Sequence, residues 1–158
     1  MKIFPLAFAL IAIAAAHDAT AQDSEFTCPV SIPKAQIMGQ KTPASGYWFG
    51  SDSLAALIPQ DGRWHGVGPE RNFGNKLFWI AAGFKPGMEA EFDVTGRLLD
   101  RKSSLEPMFD DATNARHDSF GGWAVLTWLG FPSTGCWEVT GSFKNYELTF
   151  VVEVVDEP

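Results

Sequence analysis

The hydrophobic pattern is clearest toward the end of the chain. Leu148, Phe150, Val152 and Val154 alternate with Glu147, Thr149 and Glu153. A period of two is the mark of a half-buried β-strand. The preceding run, Cys136 to Ser142, is rich in Thr, Val and Trp and reads as a second strand. Phe143-Lys144-Asn145-Tyr146 is short enough to join the two as a hairpin, and Asn145 tolerates the positive φ of a tight turn. Glu89 to Leu99 alternates in the same way: Phe92, Val94, Gly96 and Leu98 against Glu91, Asp93, Thr95 and Arg97. It should lay one face on a core and the other in water. Lys76 to Phe84 is apolar at both parities and predicts a strand buried on both faces.

The remaining segments carry weaker patterns. Ser53 to Ile58 predicts a strand, closed by Pro59 and Asp61-Gly62, with Arg63-Trp64-His65 continuing as its partner. Tyr47-Trp48-Phe49-Gly50 is a brief strand or an aromatic turn. Ser119 to Trp128 is another strand, with Gly121-Gly122 hinting at a bulge. Thr27 to Pro33 is extended, and its two prolines suit a sheet edge. Lys34 to Gly46, Gly66 to Asn75 and Asp100 to Asp118 read as loops. About seven short strands, Gly/Pro turns and no long helix predict an all-β protein, an antiparallel β-sandwich forming one domain over residues 22–158.

The first residues predict a leader, not a fold element. Lys2 precedes an apolar run, Ile3 to Ala16, and Ala19-Thr20-Ala21 is an Ala-x-Ala cleavage pattern. This reads as a signal peptide spanning residues 1–21, so the protein is expected to be exported, periplasmic or secreted, with no membrane span after cleavage. Removing 21 residues from 158 leaves 137, enough for one domain with a sizeable core. The formal net charge is −7. An acidic domain repels nucleic acid and anionic membrane surfaces, which makes both poor partners, and no nucleic-acid partner is expected. In an oxidising compartment the only two cysteines, Cys28 and Cys136, are expected to form a disulfide between the first ordered residues and the final hairpin.

Several patches resemble a group of small secreted bacterial proteins with an immunoglobulin-like domain ending in a Gly-Cys-Trp hairpin. They are Thr27-Cys28-Pro29-Val30, Trp48-Phe49-Gly50 with Leu54 and Pro59-Gln60-Asp61-Gly62, Val94 to Asp100, and Phe131 to Gly141 with Leu148 to Val151. Gly135-Cys136-Trp137-Glu138-Val139-Thr140-Gly141 is the most specific of these blocks. The resemblance implies fold, export and the disulfide. It carries no activity, cofactor or site residue.

Candidate chemistry rests on the aromatics and one acidic loop. Six tryptophans stand in the chain: Trp48, Trp64, Trp79, Trp123, Trp128 and Trp137. Any single Trp is more often core than contact surface. Trp64 with His65, beside a Gly-rich loop, and Tyr47 with Trp48 are the exceptions singled out as a ligand-binding surface for a protein or glycan. Asp110, Asp111, His117 and Asp118 form the alternative, a divalent-cation or hydrolytic site; their spacing matches no EF-hand pattern. No Gly-x-Ser-x-Gly and no Gly-rich phosphate loop occurs in the sequence. The expectation is a monomeric binding module without a cofactor, with a small exported hydrolase or metal-dependent enzyme as the rival.

Overall fold

The alternating segments pair into two sheets. The computed structural model describes residues 26–33, 47–66, 73–100, 107–117 and 122–156. Its strands in chain order are β1 (Tyr47–Gly50), β2 (Leu54–Ile58), β3 (Arg63–His65), β4 (Asn75–Ala81), β5 (Phe92–Leu98), β6 (Met108–Phe109), β7 (Thr113–His117), β8 (Gly122–Gly130), β9 (Gly135–Phe143) and β10 (Tyr146–Val155). One sheet runs β1-β2-β4-β8, with β6 and β7 both paired along the far edge of β8. The other runs β3-β10-β9-β5. The protein is an all-β sandwich, and no helix occurs among the described residues. The leader predicted for residues 1–21 lies outside them.

The core lies between the sheets and follows the period of two. From the first sheet, Leu54, Ala56, Ile58, Leu77, Trp79, Val125 and Leu129 point inward. From the second, Phe92, Val94, Leu98, Trp137, Val139, Phe143, Phe150, Val152 and Val154 meet them. The intervening positions of the first sheet form a second cluster on its other face: Trp48, Ala55, Ile80 and Ala124, with Leu57 and Phe78 against them. This is why β4 is apolar at both parities.

Trp79 sits at the centre of the main core. Its ring lies 4.7 Å from Phe92 and 5.8 Å from Phe150, centroid to centroid. Its indole N–H donates to the Thr127 hydroxyl at 3.0 Å, which satisfies a hydroxyl that is otherwise sealed from water.

The N-terminal segment is tied to the final hairpin. Cys28 and Cys136 form a disulfide with their Cα atoms 5.5 Å apart. Ser31 N–H donates to the Val151 carbonyl at 2.8 Å, and Val151 N–H donates to the Ser31 hydroxyl at 2.9 Å. The segment therefore runs along β10 as an edge piece.

Three sequence expectations are corrected. β3 does not pair with β2; it runs parallel to β10 in the other sheet, with Arg63, Trp64 and His65 opposite Glu153, Val154 and Val155. The turn after Ile58 carries the chain across the sandwich. Gly62 takes a left-handed φ of 71° there, and its carbonyl accepts from Glu153 N–H at 2.9 Å. In the final hairpin Lys144, not Asn145, takes the left-handed conformation, with φ 56°. Residues 107–117, expected to be loop, hold β6 and β7; these edge strands lack apolar alternation because none of their described side chains is fully buried.

Gly66 and Phe73 lie in close contact. A Cβ at Gly66 would collide with the Phe73 backbone carbonyl, the same group that accepts from the Trp64 indole N–H at 3.2 Å. Gly66→Ala is therefore expected to lower stability by about 1–3 kcal/mol, as overpacking does in a closed core. Urea unfolding of the purified variant measures it; an unchanged midpoint would show that the Phe73 backbone moves aside freely.

Candidate functional site

The sandwich has an open side where β5, the last strand of one sheet, faces β6 and β7, the edge of the other. Among the described residues β5 pairs only with β9. A cleft of about 500 Å³ lies between these edges. One wall is Glu89-Ala90-Glu91-Phe92-Asp93; the other is Phe109, Asp111 and Ala112. That volume falls within the range of about 300–1,000 Å³ usual for ligand sites.

Specific contacts bridge the two edges on either side of the cleft. At one end the Asn114 side-chain amide donates to the Met88 carbonyl at 2.6 Å, tying β7 to the turn before β5. At the other Pro107 stands over Gly96, close enough that a Cβ there would meet its ring at 2.7 Å. A smaller hollow of about 140 Å³, lined by Val94, Thr95, Gly96, Pro107 and Phe109, continues the cleft at this end.

The walls are acidic with an apolar floor. Alternation sends Phe92 into the core and leaves Glu89, Glu91 and Asp93 exposed. Asp111 is exposed opposite them, and Phe109 is 44% exposed although its register partner, Leu129, is fully buried. None of the described lining residues is basic. Arg97, further along β5, is engaged elsewhere. It donates to Glu138 on β9 at 2.6 Å, and this bond, with the charge of the carboxylate, raises its pKa above the ordinary arginine value.

The sequence-predicted contact residues are placed in two separate regions. Trp48 is fully buried on the back of the first sheet, and Trp64 is 3% exposed. The expectation that Gly-rich neighbours leave Trp64 open is corrected: its ring packs edge-to-face on Phe131 at 5.5 Å, which is worth more than contact with water. His65 is exposed and Tyr47 half-buried. Trp64 and His65 do line a hollow of about 210 Å³ with Pro59, Asn75, Lys76 and Phe78. Trp48 instead lines an apolar hollow of about 350 Å³ with Ile32, Phe49 and Leu148. The exposed tryptophan is Trp123, at 44%.

The acidic alternative is divided. Asp110 and Asp111 are exposed at the break between β6 and β7, while Asp118 and the His117 side chain lie outside what is described. Among the described residues, no group of three or more His, Cys, Asp or Glu side chains is placed to hold a metal ion. No helix of the described residues is long and apolar enough to cross a membrane. Sequence reasoning missed Glu89, Glu91, Asp93 and Phe109 as a site. The signal was present in three carboxylates at a spacing of two, but it equally describes the wet face of any amphipathic strand.

Comparison of the chain with protein-family models, with curated proteins and with solved structures gives no match.

Proposed function

We propose that this protein is an exported, immunoglobulin-like binding module that works as a monomer and engages a protein or glycan partner without chemical turnover. The observation that carries this reading is the cleft between β5 and β6–β7. It is bridged on either side by contacts between the two edges, walled by Glu89, Glu91, Asp93, Phe109 and Asp111, and also lined by Phe92. A few placed polar groups around an apolar floor are what a recognition site requires. The Cys28–Cys136 disulfide is compatible with export.

A second reading places a small glycan in the hollow at Trp64 and His65. What favours it is the convergence of His65, Asn75 and Lys76, all exposed, around aromatic walls. Its volume of about 210 Å³ is below the usual range for ligand sites, so it suits a single sugar unit.

An amide NMR titration with soluble glycans and short peptides tests both. The expected result is shifts clustered at residues 89–94 and 107–112. Shifts centred on residues 57–65 and 75–78 would favour the second reading. No ligand-induced shift at either place would overturn the binding-module reading.

A further inference from the structure

Resting on that reading, we infer that the cleft takes an extended peptide segment bearing lysine or arginine, which adds to β5 as a further strand. Two properties of the site select this occupant.

The first is the edge itself. β5 ends its sheet among the described residues, so the backbone groups on its outer side face the cleft instead of a neighbouring strand. A strand edge of this kind is a template for an incoming extended chain, which gains main-chain hydrogen bonds from it. The opposite wall is a poorer template. β6 and β7 are separated by Asp110 to Ala112, and Asp110 N–H turns back to the Trp128 carbonyl at 3.2 Å. Further along β5, Pro107 packs over the face at Gly96. Pairing can run along β5 from Phe92, and the residues Glu89 to Glu91 that lead into it line the same wall.

The second property is charge. Glu89, Glu91 and Asp93 stand exposed at alternate positions along this wall, and Asp111, also exposed, lines the other. A peptide with basic residues at alternate positions would place each between carboxylates, and its intervening apolar side chains would reach Phe109 and the floor. A second copy of this chain is disfavoured in the same place. It would bring an acidic edge against an acidic edge, in a protein whose net charge is −7.

The test uses the mature full chain and three synthetic peptides: alternating Lys-Val, alternating Glu-Val, and the Lys-Val sequence with prolines in place of alternate valines. Fluorescence anisotropy of labelled peptide reads affinity, and amide hydrogen exchange of the protein reads location. The Lys-Val peptide should bind at least about tenfold more tightly than the Glu-Val peptide. Its affinity should fall as salt rises from about 20 to about 200 mM. It should slow exchange of those β5 amides that β9 does not bond. Glu91→Lys with Asp93→Lys should abolish this binding, and Phe109→Ala should weaken it.

Equal binding of the proline peptide, or protection elsewhere than β5, would overturn strand addition. Equal binding of the Glu-Val peptide would overturn the charge argument. A dimer in sedimentation that is lost with Glu91→Lys would make a second copy the occupant and overturn the inference. If a glycan but no peptide perturbs residues 89–94 and 107–112, this inference fails while the binding-module reading stands. If neither ligand perturbs any hollow, both fail.

Discussion

Replacing both cysteines by alanine should lower the stability of the protein by roughly 4–5 kcal/mol in the chain-entropy account. Cys28 and Cys136 are 108 residues apart, so the bond closes nearly the whole domain into one loop. Without it the unfolded chain regains the freedom that this closure removes. The folded state loses something as well. The segment from Phe26 to Pro33 lies at the edge of the sheet and is held to β10 by the pair of hydrogen bonds between Ser31 and Val151. Val30 also covers Gly62, at the turn that carries the chain from β2 to β3. Once released, that segment should fray first and take the cover from Gly62 with it. For a domain of this size the melting temperature should fall by on the order of 15 °C. Thermal unfolding of the double variant, and of the native protein with and without reductant, measures this. A drop of only a degree or two would mean that the hydrogen bonds and the strand packing hold the segment without the bond.

The sandwich was legible wherever burial imposes a period on the chain. β5 and β10 alternate because one face of each meets the core and the other meets water. β4 lacks alternation because both its faces are buried, one against Phe92 and Phe150 and the other within the cluster around Trp48. β3 was harder to read. Three residues carry no period, and what assigns them to the second sheet is a long-range match with Glu153 to Val155, which local pattern cannot contain. β6 and β7 were missed for a related reason. An edge strand needs no strong apolar face, so its sequence resembles that of a loop.

The candidate site was less legible than the fold. Trp64 and Trp48 drew attention because large aromatics serve both cores and contact surfaces, and composition does not distinguish the two. The structure puts their rings inside and leaves Trp123 and Phe109 outside. Residues 89–93 and 107–112 become one cleft only when the ends of two different sheets meet. That meeting is set by strand order, so the acidic residues at 89, 91 and 93 look ordinary until their neighbour across the sandwich is known. The disulfide is the opposite case: two cysteines in an oxidising compartment have one partner each, and no geometry is needed to pair them.

Trp79 and Gly141 should prove energetically coupled, and the sign of a single substitution reports it. Gly141 lies within β9 without a left-handed φ, where alanine would ordinarily stabilise by reducing the freedom of the unfolded chain. Here a Cβ would collide with the six-membered part of the Trp79 indole and would also press on Phe92 at 3.1 Å. Gly141→Ala should therefore destabilise by about 1–3 kcal/mol, the cost of overpacking. Trp79→Ala should cost about 3–5 kcal/mol, since it empties the centre of the core and strands the Thr127 hydroxyl that the indole N–H now satisfies. Trp79→Phe is milder, and it removes the ring atoms that obstruct position 141. In that background Gly141→Ala should cost less than in the native protein, with a coupling of about 1 kcal/mol or more. Urea unfolding of the four proteins in the cycle measures this directly. Strictly additive effects would mean that the ring moves aside freely, and that the glycine at 141 answers to something other than the space Trp79 occupies.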